Sequence, residues 1–240
     1  MLLYVYRPYG FYFDPTYFLV LIGLALSLWA QFMVNSRFSR YSKVRSMSNM
    51  TGAQAAEKIL YAQGIYDVSI EHVSGKLSDH YDPRNKVLRL SDSTYNSTSV
   101  AAIGVAAHEC GHAVQHAEGY APIKLRSTLV PIANIGSYAS WILILIGLLF
   151  TGSSSQAWLT AGIICFGATV LFHIVTLPVE FNASSRAVNI LSNTGILYEE
   201  EVNGVKKVLG AAALTYVARA ATAILQLLRL IILFGGKNRD

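Results

Sequence analysis

Charge is what this chain is short of. Asp, Glu, Lys and Arg make up 14% of its residues against 53% hydrophobic ones, which excludes an ordinary water-soluble globule. The shortage is concentrated: none of the four occurs between Arg126 and Glu180. That gap is long enough for two membrane spans of about 20 residues each. The polar run 151–156 supplies a turn, so membrane helices are predicted over 128–150 and 157–178. Another charge-free run, 18–34, predicts an earlier span. It has neither a basic stretch directly before it nor an A-x-A-like cleavage site, so it reads as a retained helix, not a signal peptide. Two cysteines are too few for a disulfide framework, and Cys110 and Cys165 read as thiols. Despite a net charge of +5 there is no Lys/Arg stripe with interleaved aromatics, which argues against a nucleic-acid surface. No internal repeat or low-complexity tract is evident.

The few charges present are unevenly placed. Segment 35–127 carries 11 Lys and Arg, with Arg37, Arg40, Lys43 and Arg45 just after the first span and Lys124 and Arg126 just before the second. The flank before the first span has Arg7, and the 151–156 turn has none. By the positive-inside rule, segment 35–127 faces the cytoplasm. The reading is a multi-pass protein of the cell membrane with the lipid bilayer as one partner.

What stands out within that segment is His108-Glu109-Cys110-Gly111-His112. Residues four apart on a helix lie about 40° apart around the axis, so both imidazoles project from one face. Two such nitrogens suit a single Zn²⁺ at about 2.0–2.1 Å. Glu109 then reaches a metal-activated water as a general base without being a ligand. The context is helical: Ser97, Thr98 and Ser99 offer N-cap hydroxyls, an apolar run from Val100 to Ala107 follows, and Gly119 suits a C-terminal stop after Glu118.

A catalytic zinc needs a third protein ligand and an open position. His116 is a candidate by spacing, but one rigid helix cannot wrap three successive turns around a small ion, so it reads as a supporting or surface residue. The metzincin extension, which needs His at 118, fails because that position is Glu118. Glu180 is the stronger candidate. A carboxylate in the apolar run Leu177-Pro178-Val179-Glu180-Phe181 is expensive unless neutralised, and the predicted topology returns it to the cytoplasmic side with the histidines. The alternative is a salt bridge from Glu180 to Arg186 or another cation. Pro178 is expected in the first turn of a new helix.

The remaining segments are read more coarsely. A helix is expected over 51–63, closed by Gly64, and strands over 66–73 and 86–90. Between the strands, 78–85 reads as a solvated turn, and a strand edge there can hold an extended peptide. A long helix is expected from 199 to 234, broken near Gly210, and either a full crossing or an interfacial placement suits it. His173 can face the site or serve as a hydrogen-bonded interior residue.

HECGHAVQHAEGYAPIKLR, with LSDHYDPR upstream and LPVEFNASSRA downstream, resembles the YugP-type family of membrane neutral zinc metallopeptidases. It is more distantly similar to the HtpX and CAAX-prenyl-type membrane zinc proteases. The resemblance runs from about Thr51 through segment 211–218. It implies His108, His112 and Glu180 as ligands of one Zn²⁺ and Glu109 as general base. One position departs: the Asp expected four residues after the ligand Glu is Ser184, leaving the support of a metal His to Asn182 or His116 as well as to Ser184. His116, His173 and Tyr216 are the candidate oxyanion donors. The expected fold is a mainly α integral membrane protein, with about three to four membrane helices plus a small cytoplasmic α+β zincin-like domain. Its segments are an N-terminal membrane helix (1–35), the zincin-like region (36–127), a membrane hairpin (128–178), and the third-ligand and C-terminal helices (179–240). The expected activity is hydrolysis of protein or peptide substrates. The alternative is a catalytically silent membrane protein with a structural or regulatory zinc. A transporter is disfavoured by the neutral central stretch.

Overall fold

The computed structural model describes residues 14–151 and 153–235. Arg7 and Gly152, which entered the charge and turn readings above, lie outside them. Among the described residues, six helices and three strands follow in order: α1 Tyr17–Tyr41, α2 Gly52–Ala62, β1 Ser69–Val73, β2 His80–Asp82, β3 Val87–Ser91, α3 Val100–Ala117, α4 Ala121–Leu149, α5 Ser153–Thr194 and α6 Glu199–Phe234.

Among the described residues, α1, α4, α5 and α6 are long and apolar enough to cross a membrane. Their outward faces carry Phe32, Ile135 and Leu149, all more than half exposed. Water would not tolerate such bare apolar flanks at this scale; hydrocarbon would. α4 packs along α5, α1 along α6, and α5 against α6.

The smaller part is built around α3. Ser99 opens that helix, its hydroxyl accepting the Ala102 N–H at 3.2 Å. The Gly119 N–H and Tyr120 N–H close it by returning to the carbonyls of His116 and Gln115, with Gly119 at φ 66°. That left-handed position is cheap for glycine. Residues 100–104 and 106–115 are buried. Ile59 and Leu60 of α2, Leu88 and Leu90 of β3, Leu191 of α5 and Val205 of α6 join α3 in one core. The sheet has order β1-β3-β2, with β1 parallel and β2 antiparallel to β3.

Several expectations change. The 78–85 segment is not wholly a turn: residues 80–82 form β2, because Tyr81 pairs in register with Leu88 and anchors to the core. The first strand starts at Ser69 instead of Tyr66, and α1 continues past 34 to Tyr41. The hairpin turn is shorter than 151–156, since α5 begins at Ser153 and the Ser155 hydroxyl donates to the Gly147 carbonyl at 2.6 Å. Pro178 lies inside α5 and starts no new helix. Packing against α3, α4 and α6 carries the helix across the one missing N–H. Nor does α6 break at Gly210, where a methyl group would meet nothing within 4 Å.

The C-terminal helix runs the full length of α1 in the opposite direction. At one end Gly204 abuts the Tyr41 ring. At the other the Arg229 guanidinium lies 4.6 Å from the Tyr17 ring centroid, donates to the Thr16 hydroxyl at 3.2 Å, and approaches Asp14 at 3.8 Å. Arg229, an expensive residue in an apolar helix, is thereby partnered at the helix end.

Candidate metal centre

Two helices must come unusually close for the site to exist. α3 carries His108 and His112; α5 carries Glu180. Gly111 lies between the two histidines, where a Cβ would sit 2.5 Å from the Ala183 carbonyl oxygen. The absence of a side chain there lets α5 lie against α3 and delivers Glu180 to the imidazoles.

Glu180 Oε2 lies 3.3 Å from His108 Nε2 and 3.5 Å from His112 Nε2. The three side chains are buried, with Glu180 only 3% exposed, and their ligand atoms lie within 4.8 Å of one another. Oε2 has no hydrogen-bond partner among the described residues. Donors about 2.0–2.1 Å from one tetrahedral ion lie roughly 3.3–3.4 Å apart, close to these spacings. An orphaned buried carboxylate oxygen facing two imidazole nitrogens therefore fits a divalent metal. Arg186, the cation considered as an alternative partner, pairs with Glu118 at 2.7 Å. The cation near Glu180 is Arg126, whose Nη2 is 3.8 Å from Oε1.

The far side of each imidazole is also held. Ser184 Oγ lies 3.1 Å from His108 Nδ1. His112 Nδ1 lies 3.0 Å from Gln115 Oε1, while Gln115 Nε2 donates to the Val179 carbonyl at 2.8 Å and to Asn182 Oδ1 at 2.9 Å. With its amide protons committed to acceptors, Gln115 presents oxygen to His112, so Nδ1 carries the proton and Nε2 its lone pair. Burial pulls the His112 pKa down, but the nearby carboxylates of Glu180 and Glu109 outweigh it, raising the net value. Burial, and then Glu109, push the Cys110 thiol far up, so it remains protonated.

Glu109 Oε2 accepts the Tyr81 backbone N–H at 3.1 Å. Tyr81 thus turns its N–H away from β3, and the outer edge of β2 faces the site. A cavity of about 170 Å³ is lined by Glu109, His112, Glu180, Tyr216, Arg126 and His80, among others.

The other expected site residues are distributed unevenly. Tyr216 lines the cavity, whereas His173 does not and packs against Phe172. His116 is 2.9 Å from the Tyr81 hydroxyl through Nδ1 and belongs to an adjoining cleft. Asn182 supports His112 only through Gln115. The Gln115, Arg126 and Tyr81 roles were missed in sequence. Gln115 carries a sequence signal, a polar residue three beyond His112 on an apolar helix; Arg126 reads in sequence only as a charge at a membrane end.

A family profile described as "Putative neutral zinc metallopeptidase" matches residues 16–235. The chain is 50% identical over 217 residues to "Putative membrane protease YugP" of Bacillus subtilis (strain 168), covering 90% of this chain and 95% of that protein. No solved structure matches.

Proposed function

This chain belongs to the family described as putative neutral zinc metallopeptidases, and from that membership we propose that it is a membrane zinc endopeptidase cleaving protein or peptide substrates. His108, His112 and Glu180 hold one zinc ion, and Glu109 is the general base. The observation that carries this reading is the unpartnered, buried Glu180 Oε2 beside the two Nε2 atoms.

Bound there, zinc supplies Lewis acidity to a carbonyl and brings a water's pKa to about 7. The protein's own residues do the rest. Ser184 and Gln115 keep both Nε2 lone pairs aimed inward. The Tyr81 N–H fixes one Glu109 oxygen, leaving the carboxylate to take a proton from water and return it to the leaving amine. β2, at the sheet edge, is suited to receive an extended peptide whose scissile bond faces Glu109. Tyr216, from α6, is the cavity-lining hydroxyl suited to donate to the developing oxyanion.

The proposed setting is the cell membrane, with four crossing helices and the 36–127 region, a zincin-like unit, on the cytoplasmic side. It rests on the 11 basic residues of segment 35–127.

The test is paired. Glu109→Gln is expected to keep zinc stoichiometry near wild type while lowering peptide cleavage by at least about 10²-fold. Glu180→Ala is expected to lose zinc. Undiminished cleavage by Glu109→Gln would end the mechanism; undiminished zinc affinity in Glu180→Ala would end the ligand set.

A further inference from the structure

A second cleft, of about 530 Å³, opens beside the candidate metal centre. It shares Pro83, Ile123, Arg126 and Ser127 with the smaller cavity that contains Glu109 and Glu180, so the two adjoin. Arg84, Lys124 and Arg126 all line it, and none of its lining residues is acidic. Ile123, Val130 and Pro83 supply apolar wall.

Two of these cations lack counter-charges. Neither Arg84 nor Lys124 forms an ion pair among the described residues, where the neighbouring acids are already engaged: Asp82 by Arg89, and Glu118 by Arg186. Arg126 reaches Glu180 only at 3.8 Å, and its Nε is buried without a hydrogen-bond partner. With Glu180 Oε2 committed to a divalent ion, Arg126 keeps only this long contact to Oε1. A guanidinium beside two cations that form no ion pair, in a cleft with no acidic lining residue, is a place for an anion.

Position selects which anion. Pro83 directly follows β2, so a peptide extended along the β2 edge passes from Glu109 over Pro83 into this cleft. We propose that the cleft is a specificity subsite for a carboxylate-bearing residue of the peptide substrate, with Arg126, Lys124 and Arg84 as its recognition groups. The apolar wall matches an aliphatic stem, so glutamate is bound better than the shorter aspartate. This subsite rests on the metallopeptidase reading for its substrate, though not for its charge.

The experiment uses full-length zinc-loaded protein in nanodiscs of neutral phosphatidylcholine. Matched fluorogenic peptides carry Glu or Gln at each position flanking the scissile bond, with amidated and free C-termini as separate arms to distinguish a side-chain carboxylate from a terminal one. At one position Glu is expected to raise kcat/KM about tenfold over Gln. Lys124→Ala combined with Arg84→Ala is expected to bring that ratio below about threefold, and Lys124→Glu to favour a Lys peptide. Equal kcat/KM for Glu and Gln at every position and for both termini would overturn the subsite. Transfer to phosphatidylglycerol nanodiscs abolishing the preference in wild type would assign the cleft to a lipid headgroup instead, also overturning it. Binding of the labelled peptides to Glu109→Gln, read by anisotropy, separates the two readings. Tighter binding of the Glu peptide with no cleavage by wild type leaves the subsite standing and removes the peptidase, whereas equal binding removes the subsite.

Discussion

Ser184 Oγ stands 3.1 Å from His108 Nδ1, on the far side of the ring from the Nε2 that faces Glu180. A neutral hydroxyl thus occupies the place where the resemblance of the sequence leads to an aspartate. It fixes the ring's orientation without adding negative charge, which leaves the imidazole a weaker donor than a carboxylate-backed one.

Ser184→Ala should therefore weaken zinc binding by about tenfold, at the low end of the 10–100-fold typical of such supporting residues. Ser184→Asp should tighten it. Competition with a chromophoric chelator measures both. Equal affinity in the serine and alanine proteins would show that Ser184 does not orient His108.

Gln115 has a heavier task, since its amide links His112, Val179 and Asn182 and is fully buried. Gln115→Leu leaves the His112 Nδ1–H without its buried acceptor and removes a second donor from the Val179 carbonyl. A loss of about 1–3 kcal/mol is expected for each buried polar group left unsatisfied. Thermal melts should show a lower midpoint both with and without zinc, whereas a pure metal defect would appear only with zinc.

Gly111 tests the helix spacing. A methyl group there meets the Ala183 carbonyl oxygen at 2.5 Å, so Gly111→Ala must push α5 from α3. Overpacking of this kind costs about 1–3 kcal/mol. Zinc content should fall below one ion per chain even though every proposed ligand is intact. Full occupancy would mean the helices yield elsewhere.

The raised pKa of His112 in the metal-free protein predicts a pH dependence. A protonated imidazole favours the fold below its unfolded pKa of about 6.5. That contribution disappears as pH rises through the higher folded value. Zinc competes with the same proton. Calorimetric titration in buffers of different ionisation enthalpy should therefore show more protons released on zinc uptake at pH 6.5 than at pH 8.5. No difference would place the proton elsewhere.

Much of the architecture was legible because its signals are one-dimensional. A charge-free stretch, a 3.6-residue period and a cap each announce a helix through the chain's own chemistry, and His108 and His112 share a face by helical geometry alone. Boundaries were less legible. Pro178 reads as a helix start, yet α5 runs through it because neighbouring helices hold both sides. Residues 80–82 look like loop, and only the hydrogen-bonding partner in β3 makes them a strand.

Arg126 shows the same limit at the site. As a sequence feature it is a basic residue at a membrane end; in three dimensions it sits 3.8 Å from Glu180 and in the wall between two cavities.

By itself, then, the sequence determined that His108 and His112 share a helix face and that the apolar helices form, since both arise from residues near one another in the chain. The tertiary structure decided that Glu180 meets His108 and His112, that Ser184 and Gln115 orient them, and that β2 presents Tyr81 to Glu109. Those contacts join residues 28 to 76 positions apart, apart from His112–Gln115, which needs Val179 and Asn182 to fix its direction. Spacing along a chain carries no distance across such separations; the close approach permitted at Gly111 does.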